Sequence, residues 1–341
     1  MTNYIYTPNN NVFKCRVPLD NTLQFFVVDG DLQSNDCGSL SRRANGRGYD
    51  FCLGRGEIAD KLIQIISVRS EAVKQNIEFS NSFVVEKSAS AKLLLCSHTL
   101  GESNFSTHEK MNVSVKENAA LDLVIMQNEH NRSRHNTSID IELEANAVLH
   151  LYLVTLHGGE ISNDIKVNLN GKGGQCMLNG LYLANGSQKI SNNVNLFHNV
   201  PECFSRQLFK GVLEDEAVTH FSGTILVAKD AQKTEAYQAN NNLLASDYAK
   251  AHTCPHLEIY ADDVKCSHGA TVGSLDENEL FYMRSRGISI SEAKLLQQQA
   301  FAYEALSSIS NQELLERLMS LVEKRLRGEF SHCSNCSTHC C

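Results

Sequence analysis

FVVEKSASAKL (83–93), VSVKENAALDL (113–123), IELEANAVLHL (141–151) and VNLNGKGGQCML (167–178) superimpose as one recurring unit, the last copy carrying one extra residue. Each copy has two alternating apolar positions, a polar or small-residue turn, and then alternation again. The starts lie 30, 28 and 26 residues apart, the spacing of a supersecondary repeat. Period-2 alternation marks strands buried on one face, because successive strand side chains point to opposite sides. A unit of this kind cannot bury its apolar face alone, so consecutive copies must stack and build a continuous core. The expected fold is mainly β, a parallel β-helix or solenoid. An antiparallel sandwich of short strands competes with it, and the scarcity of tight two-residue hairpin signals favours the helix.

Strand-like runs continue through QKISNNVNLFH, LFKGVLEDEAVTHFSGTILVA and HLEIYA, which carries the β-rich body from about residue 60 to about 272. The period then changes. Asp276 and Glu279 open ELFYMRSR, a short helix that ends at Gly287, where a C-terminal cap is expected. Ser289 with Glu292, and Ser310 with Glu313, have capping-box spacing, and each opens a helical pattern. Leu315, Leu318, Met319, Val322 and Leu326 form one apolar stripe on the last helix. The stripe reads as a docking face on the chain's own core, and the helices also as a cap on the solenoid's open end. The chain thus divides into a loop-rich N-terminal segment (1–57), a β-helix core (58–273), a C-terminal α-helical segment (274–330) and a Cys/His-rich tail (331–341).

Composition narrows the function classes. With 341 residues, 42% hydrophobic and 21% charged, 4 Pro and no Trp, the chain reads as globular and large enough for a sizeable core. A net charge of -8 gives no footprint for nucleic acid or an anionic membrane surface, so proteins are the expected partners. MTNYIYTPNNNVFKC has neither the basic nor the apolar region of an export signal, and no run of about 18 apolar residues occurs, so a cytoplasmic location is expected. Of 12 cysteines, most are scattered and expected to be reduced; Cys96 and Cys176 sit among apolar residues and read as small buried hydrophobes.

Few catalytic templates fit. There is no GxxxxGK[ST] phosphate loop, no GxSxG elbow and no HExxH helix, and GRGYDF and GKGGQC lack the context of a dinucleotide fingerprint. Asp262-Asp263 ahead of His268-Gly269 is similar to the acidic pairs of β-helical pectin hydrolases, a reading that predicts an open acidic groove. In KCSHGAT, Cys266 and His268 are two apart, so an extended strand presents sulfur and nitrogen on one side, as a metal site needs. Val264 shares their parity, which equally places all three in a core ladder; Gly269 and Gly273 suggest a turn that instead releases His268 to the surface. In the tail, which also holds His332 and His339, Cys333-x-x-Cys336 has metal-ligand spacing and the tail's four thiols are enough for tetrahedral zinc or an iron-sulfur cluster, but the adjacent pair Cys340-Cys341 fits neither a zinc ribbon nor a ferredoxin run. A terminal tail of this kind also binds metal opportunistically or oxidises.

Two blocks carry a resemblance. FKGVLEDEAVTHFSGTILVAKDAQKTEAYQANNNLL (209–244) and PHLEIYADDVKCSHGATVGSLDENELFYMRSRGIS (255–289) closely resemble the SufB/SufD family of iron-sulfur cluster assembly proteins, nearer to its SufD branch. The likeness is dense from Leu208 to Ala305. It implies a right-handed parallel β-helix with a C-terminal helical segment, acting as a non-enzymatic scaffold of the SUF system that supports cluster assembly and iron acquisition. It implies a SufB-like partner at the late β-helix strands and a SufC-like ATPase at the C-terminal helices, with ATP hydrolysis in that partner. It implies that His268, with Cys266 beside it, is part of a shared site for a transient iron-sulfur cluster or iron, none being held stably by this chain alone. A spare sheet edge also allows a homodimer in isolation. The alternative is a stand-alone metal or iron-sulfur carrier that uses Cys333, Cys336 and Cys340 of the tail.

Overall fold

A computed structural model describes residues 19–33, 38–43, 46–70, 76–99 and 104–328. The strands alternate between two sheets. One has ten strands: β1 (Leu23–Val28), β2 (Asp31–Leu32), β5 (Ile63–Arg69), β7 (Ser90–Thr99), β9 (Ala120–Asn128), β11 (Val148–His157), β13 (Gln175–Ala184), β15 (Phe204–Leu213), β17 (Glu235–Leu244) and β19 (Lys265–Ser274). The other has nine: β3 (Leu40–Arg42), β4 (Tyr49–Leu53), β6 (Ile77–Val85), β8 (Phe105–Val115), β10 (Ser133–Leu143), β12 (Glu160–Leu169), β14 (Lys189–His198), β16 (Val218–Val227) and β18 (Lys250–Ile259). From β5 onward odd strands pair with odd and even with even, all in parallel, so each coil places one strand in each sheet. The result is a parallel β-solenoid of about seven turns.

The recurring unit is the physical repeat. Phe83 pairs with Val113, Val113 with Ile141 and Ile141 with Val167, so the four copies stack in the register in which they align. Each chain reversal uses a residue in the left-handed region: Ser88 (φ 60°), Asn118 (57°), Asn146 (53°) and, one residue later in the longer copy, Gly173 (75°). Asn and Gly tolerate that region best, and Asn146 Nδ2 donates to Asn118 Oδ1 at 3.0 Å to tie neighbouring turns. Cys176 is buried in the core between the sheets, and burial pushes its thiol up to about 12. Cys96 is buried too, but on the outer face of the ten-stranded sheet.

That outer face is where the helices lie. α1 (Glu277–Ser285), α2 (Ile290–Leu306) and α3 (Gln312–Leu326) follow β19. Leu315, Leu318 and Val322 of α3, with Met319 and Leu326 partly buried, pack on Leu94, Val124, Met126, Val154 and Leu181, as a docking stripe should. Burying side chains of this size is worth about 1.5–3 kcal/mol each. Arg325 fixes the end of α3 by donating Nε to Leu156 O (2.7 Å) and Nη2 to Asn185 Oδ1 (2.6 Å) and Gln188 Oε1 (3.0 Å). Burial lowers its pKa to about 10. Tyr152 Oη donates to Ser308 O (2.8 Å) and holds the α2–α3 connection.

Several local expectations change. Asp276 and Ser289 cap α1 and α2, and Gly287 adopts φ 87° between them. The cap of α3, however, is Asn311, because the Ser310 hydroxyl is engaged by Asp122 Oδ2 (2.8 Å). The helices cover the flank of the solenoid rather than its open end, because their apolar stripe matches the outer apolar positions of β7 to β15. Four short strands, β1 to β4, fall within the stretch 1–57 that reads as loop-rich. No helix among the described residues is long and apolar enough to cross a membrane.

Candidate functional site

Among the described residues nothing covers the last coil. Along the ten-stranded sheet, interior-facing positions continue in register from Ala236, Gln238, Asn240 and Asn242 of β17 to Cys266, His268, Ala270 and Val272 of β19. On β17 these four are buried; on β19, with no further strand above it among the described residues, all but Cys266 are exposed. Both readings of KCSHGAT therefore meet. Val264 and Cys266 pack partly against the core, whereas His268, of the same parity, stands open to solvent. Burial raises the Cys266 thiol above its ordinary value, against a backbone hydrogen bond with Ala236 that works the other way. Gly269 and Gly273 form no turn: both lie inside β19, and a Cβ added to either would meet nothing within 4 Å.

The interior turns polar toward this end. Gln238 Nε2 donates to Gln207 Oε1 at 2.9 Å, and Asn240 Nδ2 and Tyr182 Oη meet at 3.0 Å, with Tyr182 Oη also donating to Asn242 Oδ1 at 2.6 Å. Gly211 makes room for this network, since a Cβ there would come 2.1 Å from the Tyr182 ring. Gln238 Oε1, one strand below His268, has no hydrogen-bond partner among the described residues. His268 also borders a cleft of about 570 Å³ lined by Phe204, Arg206, Tyr237, Ala239 and Gly269. At the same end Ile259, Tyr260 and Val272 are exposed. Pro255 sits on the outermost strand of its sheet, where the missing N–H is tolerated.

An unsealed β-helix end with a thiol and an imidazole on its last strand is the setting for the comparisons with known proteins. Residues 69–301 match the family model described as "SUF system FeS cluster assembly, SufBD core domain". The chain belongs to the SufBD family. It is 34% identical over 230 residues to the iron-sulfur cluster assembly protein SufD of Escherichia coli, covering 67% of this chain and 54% of that protein. A SufBD family protein of Mycobacterium leprae is 33% identical over 192 residues, 54% of this chain and 49% of that protein. One from Synechocystis is 41% identical over 140 residues, 41% of this chain and 31% of that protein. The chain spans about half the length, or less, of these SufBD relatives.

Among the described residues no three His, Cys, Asp or Glu side chains converge as a metal centre in this SufBD chain. Cys266 and His268 therefore meet no third such side chain among the described residues. Asp262 and Asp263 lie exposed on the β18–β19 turn, where Asp263 bonds through its backbone to Gln232 and Lys233. Cys333, Cys336 and Cys340 lie outside the described residues. Gln238, Arg206 and the 240–242 asparagines were not singled out from sequence; the signal was a polar run, QANNN, at strand positions whose alternation calls for apolar residues.

Proposed function

We propose that this chain is a scaffold subunit of the SUF machinery that offers its open β18–β19 end to a SufB-like subunit, with His268, and Cys266 beside it, as half of a shared site. The cluster is cargo of that site rather than a resident group. The observation that carries this reading is the terminal strand itself: the His268 and Ala270 positions, buried on every strand of this sheet from β5 to β17, are exposed on β19, and one of them is an imidazole. One labile nitrogen donor beside a partner's thiolates or carboxylates makes an incomplete, exchangeable site, suited to assembling a cluster and releasing it. The protonated Cys266 thiol becomes a ligand only after a metal displaces its proton.

The exposed side chains of Phe281, Tyr282, Ile290, Leu296 and Tyr303 on α1 and α2 support a second contact, with a SufC-like ATPase. ATP hydrolysis would belong to that partner, and this chain would transmit movement without catalysing a reaction. The test is reconstitution with SufB-like and SufC-like subunits, scoring complex formation and cluster assembly for the parent chain, His268→Ala and a chain lacking 331–341. We expect His268→Ala to form the complex and lose assembly, and the truncated chain to retain both. Loss of assembly in the truncated chain with full activity in His268→Ala would favour the tail-based carrier instead.

A further inference from the structure

The nine-stranded sheet carries a pair of stacked imidazoles on its outer face. His220 of β16 and His252 of β18 are register partners, and their rings stack with centroids 4.6 Å apart and an interplanar angle of 9°. Both are exposed, and among the described residues no hydrogen bond engages a nitrogen of either ring. His256, on the same strand and face as His252, differs: it meets Glu258 at 3.3 Å. Like charges directly opposite on neighbouring strands repel. Partial burial and the neighbouring His252 both lower the pKa of His220. An imidazole in its neutral form offers one lone pair to a metal. Cys254, an exposed free thiol, follows His252 by two residues and shares its face.

We propose that the His220–His252 pair is a surface site for a borderline divalent ion of the Ni²⁺, Cu²⁺ or Zn²⁺ class, bound through one nitrogen of each ring. Adjacent strands are about 4.8 Å apart and metal–nitrogen bonds run about 2.0–2.1 Å, so one ion can bridge the pair once each exposed ring rotates out of the stack to bring the ion into its plane. Imidazole suits these metals, and only two donors meet here, so water fills the remaining positions and the ion exchanges freely. Cys254 is the next donor along the strand. The site is separate from His268, which lies on the other sheet.

The test uses the full chain with the tail donors removed (Cys333, Cys336, Cys340 and Cys341→Ser, His332 and His339→Gln), titrated with Ni²⁺ alone by calorimetry. Paramagnetic broadening of the histidine ring signals gives a second readout. Loss of an outer-shell partner alone costs about 10- to 100-fold in metal affinity, so His220→Gln or His252→Gln should weaken binding at least that much. His108→Gln, at an exposed histidine on β8 of the same sheet, should leave it unchanged, and the His220 and His252 signals should broaden first. Equal affinity in both variants, or broadening confined to other histidines, would overturn the site; circular dichroism of these exposed variants separates lost binding from lost fold.

Discussion

His268 and Cys266 are two residues apart on one strand, yet one is exposed and the other half-buried. Their shared face was legible in KCSHGAT, because strand parity is a local property. Their depth was not, since it depends on whether another strand pairs with β19, and among the described residues none does. His135 shows the opposite limit. Its ring lies between Glu129 (2.7 Å) and Glu109 (3.4 Å), all three buried, and nothing in the spacing of these residues announces the cluster. Burial alone would lower the His135 pKa, but the two carboxylates outweigh it and hold it up at about 10. An imidazole in the unfolded chain titrates near about 6.5. The stabilisation from His135 is therefore complete below that pH and lost as pH rises toward about 10. His135→Leu should cost about 3–5 kcal/mol near neutral pH by leaving two buried carboxylates unpaired. Urea unfolding of both proteins from pH 6 to pH 10 checks it, and the gap between them should narrow at the alkaline end.

At the level of elements, α3 is held by its stripe and by Arg325 rather than by its own propensity. Leu318 is completely buried against the outer face of the ten-stranded sheet. Leu318→Ala should cost about 2–5 kcal/mol, read as a lower urea midpoint, with the solenoid's strand signal in circular dichroism preserved. The stripe was legible because its period is helical, as was the Ser289 cap. The shift of the α3 cap from Ser310 to Asn311 was not, because it turns on Asp122, far away in sequence. Strands β1 to β4 went unread for a related reason: they are short, the β1–β2 and β3–β4 pairs are antiparallel, and they carry no copy of the recurring unit.

For the whole molecule, a solenoid is stabilised coil by coil, each turn resting on its neighbours. The four aligned segments made that architecture legible, since register between coils is the same alternation that aligns the sequences. Where the stack ends, and that the helices leave the end bare, emerged only from the packing. The β18–β19 end is consequently the weakest part of the stack, with unpaired backbone groups along an exposed edge of the kind that recruits another chain. In the isolated protein its amides should exchange faster than those of β11 and β13. The most direct measurement is hydrogen exchange of this chain alone and after mixing with a SufB-like subunit. The account predicts new protection concentrated in β18 and β19, around Cys266 and His268. A stable complex that leaves the exchange of both strands unchanged and protects another face would contradict it.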